Sequence, residues 1–337
     1  MSSVVCTVRR VESVKPHPNA DKLSIAVIGG WQCCVPKDRY KAGDLITYIP
    51  PDSVLPAELS DRFGVTAYLS NGRVRAIKLR GEPSFGLVVE PLGAEGENVA
   101  EQLGITKFQP PIRYSGGDML PEHPMFARYT DIENMRHFTT VIADGEEVVV
   151  TEKIHGTNCR VGVITGRSAC GTRRGESQRF AGSKTAARAE TPGSLYWFPW
   201  SIPGVEAFVS RYLGDQVILF GEVYGKVQSL RYGIPGRIAY RAFDLMVDGK
   251  YLDYDTFNTV CDHHGVETAP LVYRGPFSLE KIRELSSGKS LVPGADHIRE
   301  GVVVKPAIER TDPAIGRVIL KYVSDEYLCG ENDDQGE

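Results

Sequence analysis

Over the first hundred residues, apolar positions come in short β-branched runs broken by turn residues. Residues 3–14 alternate apolar with polar positions, and similar runs follow at 23–28, 32–35, 45–49, 73–79 and 86–89. Pro16-His17-Pro18-Asn19-Ala20-Asp21 is a turn between the first two. Several short strands at turn-punctuated spacing predict a small β-barrel. Residues 108–124 are rich in proline and glycine and read as a connector. The expected organisation is therefore a barrel over 1–110, a linker over 111–125 and a second domain over 126–337.

The second domain has a different pattern. Thr130 followed by Glu133 forms a capping box and predicts a helix over 130–138. Strands are predicted at 147–153, 159–164, 217–223, 241–247, 301–305 and 318–322, and helices at 203–213, 256–264 and 279–285. Without regular βαβ alternation, this mixture predicts an α+β domain rather than a doubly wound sheet. No internal repeat or low-complexity segment stands out.

Composition narrows the class. The 337 residues, 42% hydrophobic and 24% charged, suit two folded domains and leave no case for wholesale disorder. No run of eighteen apolar residues predicts a membrane span, and the N-terminus lacks the basic-then-apolar order of a signal peptide. Seven cysteines, odd in number and without a CxxC pair, fit reduced thiols better than disulfides or a zinc site. A soluble cytoplasmic protein is expected. The net charge of −4 is unevenly spread. Arg73, Arg75, Lys78 and Arg80 form one basic stretch, and Arg167, Arg173, Arg174, Arg179, Lys184 and Arg188 face Glu176 alone in another. Such local footprints suit polyphosphate despite the acidic total, although solvated faces would look the same.

Phosphate loops of the GxxxxGK[ST] type, GxGxxG fingerprints, GxSxG elbows and HExxH helices are all missing from the sequence. What stands out is Thr151-Glu152-Lys153-Ile154-His155-Gly156-Thr157-Asn158, where a strand runs into a turn. A nucleophilic lysine must lose its proton, and lowering an amine from about 10.4 by roughly three units takes about 4 kcal/mol. Lys305, Lys321 and Arg173 are candidate neighbouring cations. Alone, a KxxG is commonplace. Here it is followed in order by Phe220-Gly221-Glu222-Val223-Tyr224-Gly225, Tyr240-Arg241-Ala242-Phe243-Asp244-Leu245, Arg299-Glu300-Gly301-Val302-Val303-Val304-Lys305 and Ile319-Leu320-Lys321.

This ordered set resembles the covalent nucleotidyltransferases, the polynucleotide ligases and messenger-RNA capping enzymes, over about residues 126–330. EKIHGTN with FGEVYG is most similar to the type-2 RNA ligases. The resemblance implies an antiparallel-sheet ligase domain using ATP with Mg2+ or Mn2+. Lys153 would attack the α-phosphorus and carry AMP. Glu152 would meet the adenine edge, Ile154 would adjoin the nucleotide, and Phe243, with Tyr240 as a second aromatic, would stack on the base. Asn158 and Glu222 would hold ribose, and Thr172-Arg173-Arg174-Gly175 would place Arg173 on ribose or phosphate. Glu222 with Glu300 would hold the metal, and Lys305 and Lys321 would contact the α-phosphate. Two departures stand: His155 replaces the aspartate of many relatives, and Lys321 lacks the second lysine of a lysine-x-lysine strand. Arg174 would serve nucleic-acid contact, and His155 would either do the same or orient the loop.

The predicted barrel also has a resemblance. His17-Pro18-Asn19-Ala20-Asp21-Lys22-Leu23 and Leu79-Arg80-Gly81-Glu82-Pro83-Ser84-Phe85-Gly86 are similar to loops of the tRNA-binding oligonucleotide-binding (OB) barrels of some aminoacyl-tRNA synthetases. Only sixteen residues follow Lys321, so no later barrel is expected. An OB barrel ahead of the ligase domain resembles the RNA ligases of Deinococcus and of some protists and viruses. Arg73, Arg75, Lys78 and Arg80 would then bind backbone phosphates, although strand alternation puts Arg73 and Arg75 on one face and Lys78 and Arg80 on the other. The implied partner is a nicked duplex with RNA at its 3′-hydroxyl end, and the implied state is a monomer. The rivals are a DNA ligase, a capping guanylyltransferase and a non-catalytic RNA-binding protein.

Overall fold

The computed structural model describes residues 4–109, 119–121, 123–165, 177–211 and 216–330. The chain forms two compact units, one of Met1–Ile112, Glu133–Thr139 and Leu328–Glu337, the other of Arg113–Ile132 and Thr140–Tyr327. The expected linker falls mostly outside the described residues.

In the first unit the alternating run over 3–14 is two strands, Thr7–Arg10 and Ser13–Pro16. Thr7–Arg10 lies beside Leu45–Ile49 and then Leu87–Val89, while Ser13–Pro16, Leu23–Ile28 and Trp31–Pro36 form a second three-stranded sheet. Ala76–Leu79 and Glu82–Phe85 form a hairpin. The expected strand over 73–79 thus begins only at Ala76, so Arg73 and Arg75 precede it. Trp31, Tyr48 and Phe85 fill the core between these pieces. The 130–138 segment is not the expected helix. Asn134 caps a short 3-10 turn, Met135–His137, whose buried Arg136 lies over the Trp31 ring at 4.3 Å and donates to the Gly30 carbonyl. Thr130 instead bonds the Tyr251 hydroxyl.

The motif loops that suggested the barrel meet here. The His17 ring contacts the Leu79 carbonyl at 3.0 Å, and the Asn19 amide donates to the Arg80 carbonyl at 3.0 Å.

The second unit rests on two antiparallel sheets. One has six strands in the order Ala186–Arg188, Ser177–Ser183, Gly156–Thr165, Gln216–Gly225, Ile238–Val247 and Lys250–Tyr251. In the other, Leu320–Val323, Gly301–Pro306, Glu147–Glu152 and Leu271–Pro276 lie side by side in that order. Valine runs fill its two central strands, which β-branched residues and two-sided burial favour. The helices Pro203–Arg211 and Tyr254–His264 cover the outer face of the six-stranded sheet, packing Phe208 and Phe257 against Val161, Leu219 and Tyr240. Its inner face remains for a site.

Candidate active site

A cavity open to solvent lies between the two sheets of the second unit. One side is lined by Thr151, Glu152, Lys153, Val303 and Lys305, the other by Asn158, Glu222, Phe243 and Asp244. Strand register explains the first set. Thr151 is opposite Val303, Val303 is opposite Lys321, and Lys305 is two residues beyond Val303. Since side chains alternate, these four share one face. The strand ends at Glu152, so Lys153 sits at its edge. Gly156 is required where the chain turns into the next strand, because a Cβ there would lie 2.2 Å from the Val223 carbonyl oxygen.

A bulge explains the second set. Phe220 is opposite Asp244 and Gly221 is opposite Ala242, leaving Phe243 as the extra residue. A bulge re-aims side chains that strict alternation would separate. Phe243 and Asp244 therefore both line the cavity although adjacent in sequence. Tyr240, the second aromatic expected on the base, is buried in the core on the opposite face, packed with Cys159 and Val223. It is excluded from the site.

Charge is concentrated around Lys153. Its ammonium lies 2.5 Å from Glu300 Oε1, and the other oxygen of Glu300 is 3.2 Å from His155 Nδ1. Burial would raise the Glu300 carboxyl, but the Lys153 charge and His155 overcome it and hold the group at about 2. Glu222 moves the opposite way. Burial pushes it up to about 8, Lys153 only partly offsets this, and the Glu300 charge adds to the rise. Asn158 Oδ1 is buried there without a hydrogen-bond partner among the described residues. Glu222, short of positive charge, with the Glu300 carboxylate and an orphaned carbonyl oxygen nearby, fits a hard, oxygen-seeking cation. Among the described residues no cluster of three or more acidic, histidine or cysteine side chains could hold a metal alone, so such an ion would take its remaining ligands from water or phosphate.

The deeper end carries a second network. Buried Asp244 accepts from Lys305 Nζ at 2.6 Å, from Arg317 Nη1 at 3.0 Å and from the Tyr129 hydroxyl. Burial opposes this charge, yet Arg317 first and Lys305 second hold Asp244 at about 2. Glu309 bonds both cations, and the Arg317 guanidinium lies over the Tyr251 ring at 3.6 Å. Sequence reasoning quoted Asp244 in a motif without giving it a role, and it missed Arg317, whose only signal is a basic residue four positions before Lys321.

The remaining expected residues divide. Glu152 lines the cavity, with one oxygen accepting from the Ser290 hydroxyl and the other from the Leu291 N–H, each at 2.6 Å. Ile154 lines it too. Lys321 is half-buried on the Lys305 face but is not among the lining residues. Arg173 and Arg174 lie outside the described residues. In the first unit Arg73 is taken up by Asp52 at 2.7 Å and by the Phe108 ring, and Arg75 is half-buried. Lys78 and Arg80 are exposed on the hairpin.

Comparison with known proteins agrees with this geometry. An OB-fold domain model matches residues 5–92. No curated protein sequence matches the chain. Among solved structures, an apo form of the Naegleria gruberi RNA ligase superposes with a TM-score of 0.77 at 23% identity, covering 97% of this chain and 98% of that one. Variants of the same enzyme, one with AMP and Mn and one with ATP and Mn, superpose with TM-scores of 0.77 and 0.76, each at 22% identity and covering 96% of this chain and 98% of the other. The RNA ligase family model matches residues 146–323, which include Lys153, both carboxylates, Asp244 and both cations that hold it, and span more than half of the sequence. The chain belongs to the RNA ligase family.

Proposed function

We propose that this protein is an ATP-dependent RNA ligase that seals 3′-hydroxyl/5′-phosphate nicks in a duplex, with RNA on the 3′-hydroxyl side, and works as a monomer. The carrying observation is that Lys153 lines the cavity between the two sheets with its ammonium on Glu300 and with Lys305 lining the same cavity. The nucleotides and Mn named for the Naegleria structures support ATP and a divalent cation here.

The chemistry runs in three displacements. Lys153 Nζ, freed of a proton, forms a bond to the α-phosphorus as the bond to the bridging oxygen breaks and pyrophosphate leaves. AMP then passes from Nζ to a 5′-phosphate oxygen. A 3′-hydroxyl finally attacks that 5′-phosphorus and expels AMP, leaving a phosphodiester. The close Lys153–Glu300 pair favours the charged amine, so Glu300 must release it before the first step. Glu222 and Glu300 would hold a magnesium or manganese ion, which would neutralise charge on the triphosphate. Phe243 stacks on adenine, Glu152 keeps free lone pairs for its edge, and Asn158 with Glu222 meets ribose. Lys305 and Lys321 face the α-phosphate and stabilise charge as it develops. By the resemblance, Arg173 joins ribose or phosphate.

Intact-mass analysis after incubation with ATP and magnesium tests the reading. One AMP adduct mapped to Lys153, absent from Lys153→Ala, is expected. Label from GTP alone would indicate a capping guanylyltransferase, and no adduct from any nucleotide would indicate a dead pocket. Sealing of DNA but not RNA 3′-ends would indicate a DNA ligase.

A further inference from the structure

Tyr232 is the only fully buried residue among the described non-glycine residues with positive φ. Its φ of 51° lies in the left-handed region, where a bulky side chain costs roughly 1–3 kcal/mol. Such strain persists only where the surroundings over-determine it. Three contacts do so. The Tyr232 N–H donates to His297 Nε2 at 3.2 Å, and the two rings meet edge to face at 4.5 Å. The next residue, Gly233, also has positive φ, and a Cβ there would lie 2.1 Å from the Gly294 carbonyl oxygen. The loop of residues 226–237 is thereby locked onto the loop of residues 289–297.

Both loops act on the chain around Lys153. The Tyr232 hydroxyl accepts the backbone N–H of His155 at 2.7 Å, two residues after the lysine. From the same loop, Ser229 Oγ is 3.3 Å from His155 Nε2. The other loop holds the residue before the lysine, through Ser290 and Leu291 on Glu152. His297 Nδ1 faces the Ile298 carbonyl at 2.8 Å, which fixes its proton there and leaves Nε2 to accept from Tyr232.

We infer that Tyr232 is a positioning residue that, through this two-loop clamp, fixes the turn carrying Lys153 for attack on the α-phosphorus. The inference rests on Lys153 being the adenylylated nucleophile. Orientation within a few tenths of an ångström governs the rate of such displacements, and strain in a buried loop is a reasonable cost for it.

Tyr232→Phe keeps the ring and removes only the acceptor of the His155 N–H. A buried donor left unsatisfied is expected to slow lysyl-adenylate formation by about tenfold at saturating ATP. KM for ATP should change less than twofold. Sealing of a nick with a preformed 5′-adenylyl end, which bypasses Lys153, should also stay within twofold of the parent. His297→Ala should slow adenylylation in the same way, and His297→Asn, which keeps an acceptor, should restore most of the rate. Adenylylation by Tyr232→Phe at the parent rate would overturn the clamp while leaving Lys153 as nucleophile. Equal losses in adenylylation and in sealing of the preformed adenylate would also overturn it, since they would mark a general structural role. A parent protein that takes no AMP would overturn the clamp together with the ligase reading.

Discussion

Arg317→Ala tests whether the Asp244 network is a balanced buried ion cluster. Asp244 is 1% exposed and is held by Arg317 at 3.0 and 3.1 Å and by Lys305 at 2.6 Å. Its carboxyl stands at about 2 against an ordinary 3.8. Because the folded value is the lower one, this group adds stability above about pH 3.8 that is lost as pH falls through about 2, roughly 2 kcal/mol in all. Removing one partner of a buried pair costs about 3–5 kcal/mol. Lys305 remains to carry Asp244, which favours the lower end, while the lost stacking on Tyr251 adds about 1 kcal/mol. At about 2–4 °C per kcal/mol for a unit of this size, the expected fall in Tm is roughly 8–16 °C at pH 7. Calorimetry from pH 2 to 8 should show the fall narrowing toward pH 2, where protonation of Asp244 removes the charge that Arg317 offsets. Arg317→Lys, which keeps the charge but loses the two-pronged contact, should lose less. A Tm within 2 °C of the parent at pH 7 would refute the reasoning. Adenylylation should slow as well, because Lys305, already on Asp244 at 2.6 Å, would then have to offset that charge without Arg317 and turn less readily to phosphate.

Two further outcomes follow from the geometry. Gly156→Ala must push apart the Gly156–Thr165 and Gln216–Gly225 strands, at a cost of about 1–3 kcal/mol. Lysyl-adenylate formation should fall with it, and unchanged Tm and rate would show that the turn yields freely. Lys78→Ala with Arg80→Ala removes the two exposed cations of the first unit's hairpin and should leave adenylylation intact. Affinity for a nicked RNA duplex should fall and its salt slope drop by about two, measured by binding titrations at several ionic strengths. An unchanged slope would place the phosphate contacts elsewhere.

The legible part of this protein is the part that depends on local pattern. Valine-rich runs marked the central strands, and the ordered short motifs that hold Lys153, Glu222, Glu300 and Lys305 are segments the fold brings to one cavity. What stayed hidden needed register or long-range pairing. Period-2 alternation cannot show that Phe243 is an extra residue, so Tyr240 stood as a second candidate beside it, whereas the bulge leaves Tyr240 in the core and Phe243 in the site. The capping box at Thr130 and Glu133 carried a sound helical signal that tertiary contacts overrode, with Thr130 tied to Tyr251 and Arg136 drawn to Trp31. The basic stretch over residues 73–80 likewise concealed a division of labour. Asp52 and Phe108 engage Arg73, while the hairpin leaves Lys78 and Arg80 in solvent. Arg317 belongs to the same class. Its meaning comes from Asp244, seventy-three residues earlier, and no local rule links a lone arginine to a carboxylate on another sheet. Residues that make chemistry lie in motifs because their neighbours are constrained to present them. Residues that balance charge around that chemistry arrive from anywhere in the chain, so a site's electrostatics is the last thing a sequence discloses.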